Sequence, residues 1–163
     1  MTELLAVICI LGMIASAGMF SLSAAVRRAE RATSLTSLEA NLSWAFNRSF
    51  QEPVQLTVDL QSQTLQILAL SSGRLKQQKF TGGLKMVEVQ QYGLLREQGA
   101  VKLDFRNGSC ETFAIHVHST GGEQDFDRWL FVLGATGEVI QFEHSPQTSA
   151  AISNWLAKWS SLN

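Results

Sequence analysis

Proline and cysteine each occur only twice in these 163 residues, and neither sign of charge is in excess. Cys9 lies inside an apolar stretch and Cys110 far beyond it, so an internal disulfide framework is not expected. Thirteen Lys and Arg against fourteen Asp and Glu leave a net charge of −1. A phosphate-binding surface needs a basic excess, so nucleic acid is not an expected partner. The sequence carries no phosphate loop, dinucleotide fingerprint or hydrolase elbow. Ser109-Cys110-Glu111 sets a thiol beside no obvious base, which suits a small apolar role for Cys110. Neither enzymatic chemistry nor a cofactor is expected. Proline is also absent before Pro53, and glycine between Gly18 and Gly73, so nothing there interrupts a helix.

Charge is scarce overall, at 17%, and unevenly placed: the first twenty-six residues hold a single charge, Glu3. From Leu4 to Val26 there is none, and those 23 positions span roughly 34 Å as a helix, enough for a hydrocarbon core of about 30 Å. Two other origins for such a run are a buried core helix and a cleavable secretory signal. Core helices rarely lack charge for so long. A secretory signal opens on basic residues and has a shorter apolar stretch, whereas this one opens on Glu3, although Ala15-Ser16-Ala17 imitates a cleavage site. A transmembrane segment over about 4–26 is the expectation.

Beyond it come Arg27, Arg28, Glu30 and Arg31, and then Leu35, Leu38, Leu42, Ala45, Phe46 and Phe50 at three- and four-residue steps. That spacing is one face of a helix. One continuous helix from about Thr2 to Phe50, roughly 70 Å long, is therefore expected, apolar all round in its first half and along one stripe in its second. It divides the chain into an anchoring and assembly helix, 1–50, and a globular region, 51–163, that covers the stripe.

Glu3 opens the apolar run at the membrane edge. An isolated carboxylate there needs a partner, a proton or the headgroup layer, where the positive end of the helix dipole also favours it. The segment Thr2-Glu3-Leu4-Leu5-Ala6-Val7-Ile8-Cys9-Ile10-Leu11-Gly12-Met13-Ile14-Ala15 resembles the N-terminal methylation motif of type IV pilins and type II secretion pseudopilins. In that family a basic leader ends in glycine, a peptidase cuts before a phenylalanine, and the new terminus is methylated. An acidic residue then opens a run of the Leu-Leu-Val-Val-Ile-Ala-Ile-Leu-Gly type. Glu3 takes that acidic place, and the resemblance implies that it pairs with the methylated amine of a neighbouring subunit and sets the register between helices. Opposite charges in low dielectric attract strongly enough for that role. The sequence departs from the family in starting at Met1, about two residues after the expected cut, without leader, glycine or phenylalanine. Either the start codon is set too far downstream or the protein is never processed, and the first is the preferred explanation. It also bears on topology: Arg27, Arg28 and Arg31 alone would hold the C-terminal region in the cytoplasm, and a basic leader reverses this.

After Pro53 the period changes to two. Val54, Leu56, Val58 and Leu60 alternate with polar residues, and further strands are predicted over 64–70, 84–92, 101–105, 112–118, 129–133 and 138–142. Ser72-Gly73, Gly82-Gly83, Asn107-Gly108, Gly121-Gly122 and Thr136-Gly137 supply the turns. The run Leu103-Asp104-Phe105-Arg106-Asn107-Gly108-Ser109, followed by Phe113-Ala114-Ile115, Trp129-Leu130-Phe131-Val132 and Gly137-Glu138-Val139, is similar to the closing strands of the minor pseudopilin H family. Ser145-Pro146 reads as an N-cap with proline at the first helical position, and Ile152, Trp155, Leu156 and Trp159 share one face of a short helix over about 146–161. The expected fold is α+β and pilin-like: a long N-terminal transmembrane helix packed on a small antiparallel sheet, closed by that C-terminal helix.

His116 and His118 alternate on one strand and so point to one face, an arrangement that can begin a metal site. A third ligand would come from His144, Asp125 or Asp127, with no spacing to select one. Paired exposed histidines on a strand are more often only that, so no metal ligand is assigned. Asp125 and Asp127 fall far short of a calcium-loop pattern.

The resemblance implies a structural minor pseudopilin in the bacterial inner membrane, single-pass, with its C-terminal domain in the periplasm or outside. Implied partners are other pseudopilin subunits, the secretion or pilus assembly platform, membrane lipid and, with an upstream start, prepilin peptidase. The other reading is a signal-anchored extracytoplasmic domain that binds or senses something and forms no filament.

Overall fold

The structure, a computed structural model, describes residues 25–26, 29–80, 83–92, 94–119 and 126–160. A helix, α1, covers residues 29–49. Ten strands follow: β1 (Val54–Asp59), β2 (Thr64–Ala69), β3 (Leu75–Lys79), β4 (Leu84–Gln91), β5 (Leu94–Arg96), β6 (Ala100–Arg106), β7 (Ser109–Cys110), β8 (Phe113–Ser119), β9 (Phe126–Val132) and β10 (Val139–Glu143). A second helix, α2 (Pro146–Ser160), ends the described chain.

The strands form two antiparallel five-stranded sheets, ordered β3-β2-β1-β6-β7 and β10-β9-β8-β4-β5. Alternation decides which face of each is apolar. In the first sheet Val54, Leu56 and Val58 of β1 lie opposite Ala69, Ile67 and Leu65 of β2 and opposite Phe105, Leu103 and Val101 of β6. In the second, Leu84, Met86 and Val89 share a face with Phe113, Ile115 and Val117 and with Leu130 and Val132. All of these side chains are buried in one continuous core between the sheets.

The expected arrangement of a long apolar helix on one small sheet is overturned. The described helix that precedes the strands is the amphipathic α1, and among the described residues no helix is long and apolar enough to cross a membrane. Glu3 and the run from Leu4 to residue 24 lie outside the described residues, while Val26 is helical and exposed. The single sheet fails on width. A helix is about 10 Å across and strands lie about 4.8 Å apart, so one helix covers about two strands of a five-stranded face. Two apolar faces of that size are buried by turning toward each other. Strands β3, β5 and β7 carry no apolar alternation that would announce them; Leu75-Lys76-Gln77-Gln78-Lys79 is almost wholly exposed.

The stripe on α1 joins that core through Leu38, Leu42, Ala45 and Phe46, with Leu35 packed at its edge. Its flanks reach both sheets: Asn41 donates to Gln78 on β3, Lys76 of β3 lies 5.6 Å from the Trp44 ring, and Gln141 on β10 donates to Glu39. Phe50 departs from the expected stripe. The helix has ended, and Phe50 is 64% exposed, its ring edge-on to Phe46 at 5.5 Å.

Two glycines make room for this end of α1. Gly137, at φ +68°, passes so close to the Phe46 ring that an added Cβ would sit 2.1 Å from it. Gly108, at φ +69°, does the same beneath Phe50, where the Cβ would sit 1.9 Å away. With Asn107 at φ 52°, Gly108 forms the two-residue turn that joins β6 and β7 in the twist the strands require. Ser49 fixes the contact by donating to the Phe46 carbonyl at 2.6 Å and accepting from the Gly108 N–H at 3.2 Å.

Glu52 ties the same region to the first sheet. Its carboxylate accepts from the Ser72 N–H (2.7 Å), the Ser72 hydroxyl (2.9 Å) and Arg48 Nε (2.6 Å). Burial opposes its ionisation, but the bonds from Ser72 and Arg48 outweigh that, and the carboxyl is held below its ordinary value of 4.5. At the far end, the Gln63 side chain joins the sheets: its amide donates to the carbonyls of Leu60 (2.6 Å) and Met86 (2.9 Å) and accepts from the Met86 N–H (2.7 Å).

Two measurements test these contacts. Gly73 also has positive φ, at +64°, but nothing lies within 4 Å of its added Cβ. Urea unfolding followed by tryptophan fluorescence should therefore show Gly73→Ala costing about 1 kcal/mol, for backbone strain, and Gly137→Ala about 3 kcal/mol, for strain plus the clash with Phe46. Equal costs would show that Phe46 moves aside freely. Because Glu52 has a depressed folded-state pKa, its contribution is complete above the ordinary carboxyl value and is lost as pH falls through the folded value. Thermal melts taken downward from pH 5 should show a decline that is shallower in Glu52→Gln.

Candidate functional site

The outer face of the second sheet is half apolar and half polar. Ala114, Trp129 and Phe131 form the apolar half and are covered by Ile152 and Leu156 of α2. The sequence builds this cover locally. Pro146 starts α2 with φ already set, and the Ser145 hydroxyl accepts from the Thr148 N–H at 3.0 Å, capping the first turn. Beside the helix, Phe131, Phe142, Ala151, Ile152 and Trp155 line an open apolar groove of about 450 Å³.

The polar half gathers three histidines and two carboxylates. Strand register brings Glu88 of β4 and Trp129 of β9 level with His116 of β8, and Asp127 level with His118. Glu88 reaches this face through a β-bulge. Strict alternation from Leu84 and Met86 would point Glu88 into the core. Instead the register shifts between Met86 and Glu88, the extra residue Val87 is exposed, and Glu88 turns outward while Val89 turns in.

His116 is the centre of the group and is only 7% exposed. Its Nε2 is hydrogen-bonded to Asp127 Oδ1, and its Nδ1 faces Glu88 Oε1 at 3.5 Å without making a hydrogen bond. Its ring stacks on Trp129 (centroids 4.8 Å apart, planes 23°) and on His144 (4.2 Å, 14°). Trp129 Nε1 donates to both His144 Nδ1 and Ser149 Oγ at 3.1 Å. His118 turns its Nδ1 toward the same Asp127 oxygen at 3.6 Å. Burial pushes the Glu88 carboxyl up, with repulsion from Glu97 and Asp127, against the pull of His116 and His144.

These distances define what the cluster can do. A neutral imidazole has one N–H, yet both ring nitrogens of His116 face carboxylates. One further positive charge, a proton or a metal ion, satisfies the arrangement. His144 is already committed: with Nδ1 accepting from Trp129, its neutral form carries the proton on Nε2.

Of the residues singled out in sequence, His116, His118, Asp127 and His144 come together here, while Asp125 and Glu3 lie outside the described residues. Cys110 packs at the edge of the main core, where desolvation pushes its thiol up to about 12, well away from a reactive thiolate. Glu88, Trp129 and Ser149 were not foreseen. The signal for Glu88 was present as a change of parity in the apolar residues, from Leu84 and Met86 to Val89. Nothing local pairs Trp129 with His144 or Ser149.

No family model matches this chain, and no curated protein or solved structure is significantly similar to it.

The Trp129 bonds make a direct prediction. Trp129→Phe keeps an aromatic ring over His116 but removes the N–H shared by His144 Nδ1 and Ser149, leaving His144 Nδ1 only the Ser149 hydroxyl at 3.3 Å. It should cost about 1–2 kcal/mol in chemical denaturation, and Ser149→Ala less, since Trp129 then keeps His144.

Proposed function

We propose that the chain is a minor pseudopilin-like structural subunit of a type II secretion or type IV pilus-like assembly, single-pass in the bacterial inner membrane, with its β-domain in the periplasm or outside. The observation that carries this reading is the sequence from Glu3 to Gly12, with its acidic residue opening an uncharged run that reaches Val26. Packing lends support: α1, which follows that run in sequence, buries one stripe in the sandwich and leaves Ala32, Thr33, Thr36 and Ala40 outward, small residues that let a neighbouring helix approach closely. Glu3 would pair with a neighbour's N-terminal amine to set register, prepilin peptidase would act if the true start lies upstream, and the β-domain would make lateral or tip contacts.

A second reading is favoured by the apolar groove beside α2 and by the histidine cluster. Both are features of a binding surface, and they suit a signal-anchored domain that forms no filament. Glu3 separates the two. Under the pseudopilin reading, Glu3→Ala leaves the protein in the membrane fraction but removes it from the sheared or cross-linked filament fraction; normal incorporation of that variant would sink the assembly role. In-frame codons upstream of Met1 give an independent check: a basic leader followed by a Gly-Phe-Thr-like stretch is expected, and a stop codon would favour the anchored binding domain.

A further inference from the structure

We infer that the outer face of the second sheet holds a divalent transition-metal site, with His116, His118 and Asp127 as ligands and Glu88 as the outer carboxylate that orients His116. This does not rest on the assembly reading. Three features carry it. First, from β8 His116 Nε2 is hydrogen-bonded to Asp127 Oδ1 of the adjacent strand β9 and His118 Nδ1 lies 3.6 Å from that same oxygen, so two imidazoles and a carboxylate, ligands of the kinds zinc prefers, flank one spot. Second, the buried His116 turns an unpartnered Nδ1 toward Glu88 at 3.5 Å. Metal-bound imidazoles donate their other N–H to a carboxylate, and a small approach of Glu88 to Nδ1 would make that bond and fix the tautomer that leaves Nε2 free to bind. Third, His118 and Asp127 are about one-third exposed, so an ion can enter from solvent and retain a water as fourth ligand.

His144 is close enough to be mistaken for a ligand, since its ligand atom lies within 4.8 Å of those of His116 and Asp127. Ring geometry excludes it. A metal lies in the plane of each imidazole that binds it, and two rings stacked at 4.2 Å and 14° have no common in-plane point nearby. His144 is also bound to Trp129 through Nδ1. Its part is to hold the plane of His116. The ion would take the place of the His116–Asp127 hydrogen bond, supply the positive charge that the two carboxylates lack, and cross-link β8 to β9.

The test is a zinc titration of the full-length protein in detergent micelles, after chelator treatment, against a competing chromophoric chelator and in a Cys9→Ser background that removes a rival thiol. One zinc per chain is expected, together with a higher melting temperature, since the ion binds the folded state alone. His118→Ala and Asp127→Asn, at partly exposed positions, should each weaken binding by about 100-fold without unfolding the domain, and Glu88→Gln by about 10-fold. His144→Ala should change it by less than about 3-fold. Absence of saturable binding, or binding indifferent to His118→Ala and Asp127→Asn, would overturn the site. Loss with His144→Ala and not with His118→Ala would overturn the ligand set.

Discussion

The domain rests on the burial of β8 from both sides. Phe113, Ile115 and Val117 point into the core between the sheets, and Ala114 and His116 point the other way beneath α2 and the aromatic stack. From Phe113 to Val117 the strand loses nearly all contact with water, so a polar atom there is costly unless it finds a partner within the protein. The backbone does so by pairing with β4 and β9 along nearly its whole length. The His116 side chain cannot do so alone. Hence the carboxylates on the two neighbouring strands, the stacked rings, and the bulge that brings Glu88 outward all serve an imidazole placed on the buried stretch of that strand.

Two helices complete the structure by different means. α1 seals the core with a stripe of leucines and Phe46, and its position is fixed where Phe46 and Phe50 settle over the turn residues Gly137 and Gly108. α2 covers only part of the outer face, because among its described side chains the buried ones are Ile152 and Leu156. The rest of that face is left to the polar cluster on one side and the apolar groove on the other. Short apolar coverage is thus what leaves room for chemistry on this sheet.

Much of this was legible in the residues, for reasons that also mark where legibility ends. Helix α1 follows from the spacing of Leu38, Leu42, Ala45 and Phe46, and α2 from Ser145-Pro146 with Ile152 and Leu156, because both depend on patterns within a few turns. Strands with an apolar stripe, such as β1, were equally open to reading. β3 was not, because its residues are polar and its stability comes from pairing with β2. The division into two sheets was hidden for a deeper reason: alternation states which side of a strand is apolar and not which other strand it will face. The same holds for the site. His116 and His118 were visible as a pair, but Glu88 joins them only through a register that sequence does not record.

The Gln63 amide has a consequence for the open edge of β4. It pairs with both backbone groups of Met86 as a neighbouring strand would, on the side of β4 that β5 leaves open, since β5 pairs only with Val89–Gln91. An open edge is a template for strand addition from another molecule, and here one side chain fills part of that template beside an irregular, bulged backbone. This part of the β4 edge therefore resists the addition of a foreign strand, and with it the extension of the sheet by edge pairing.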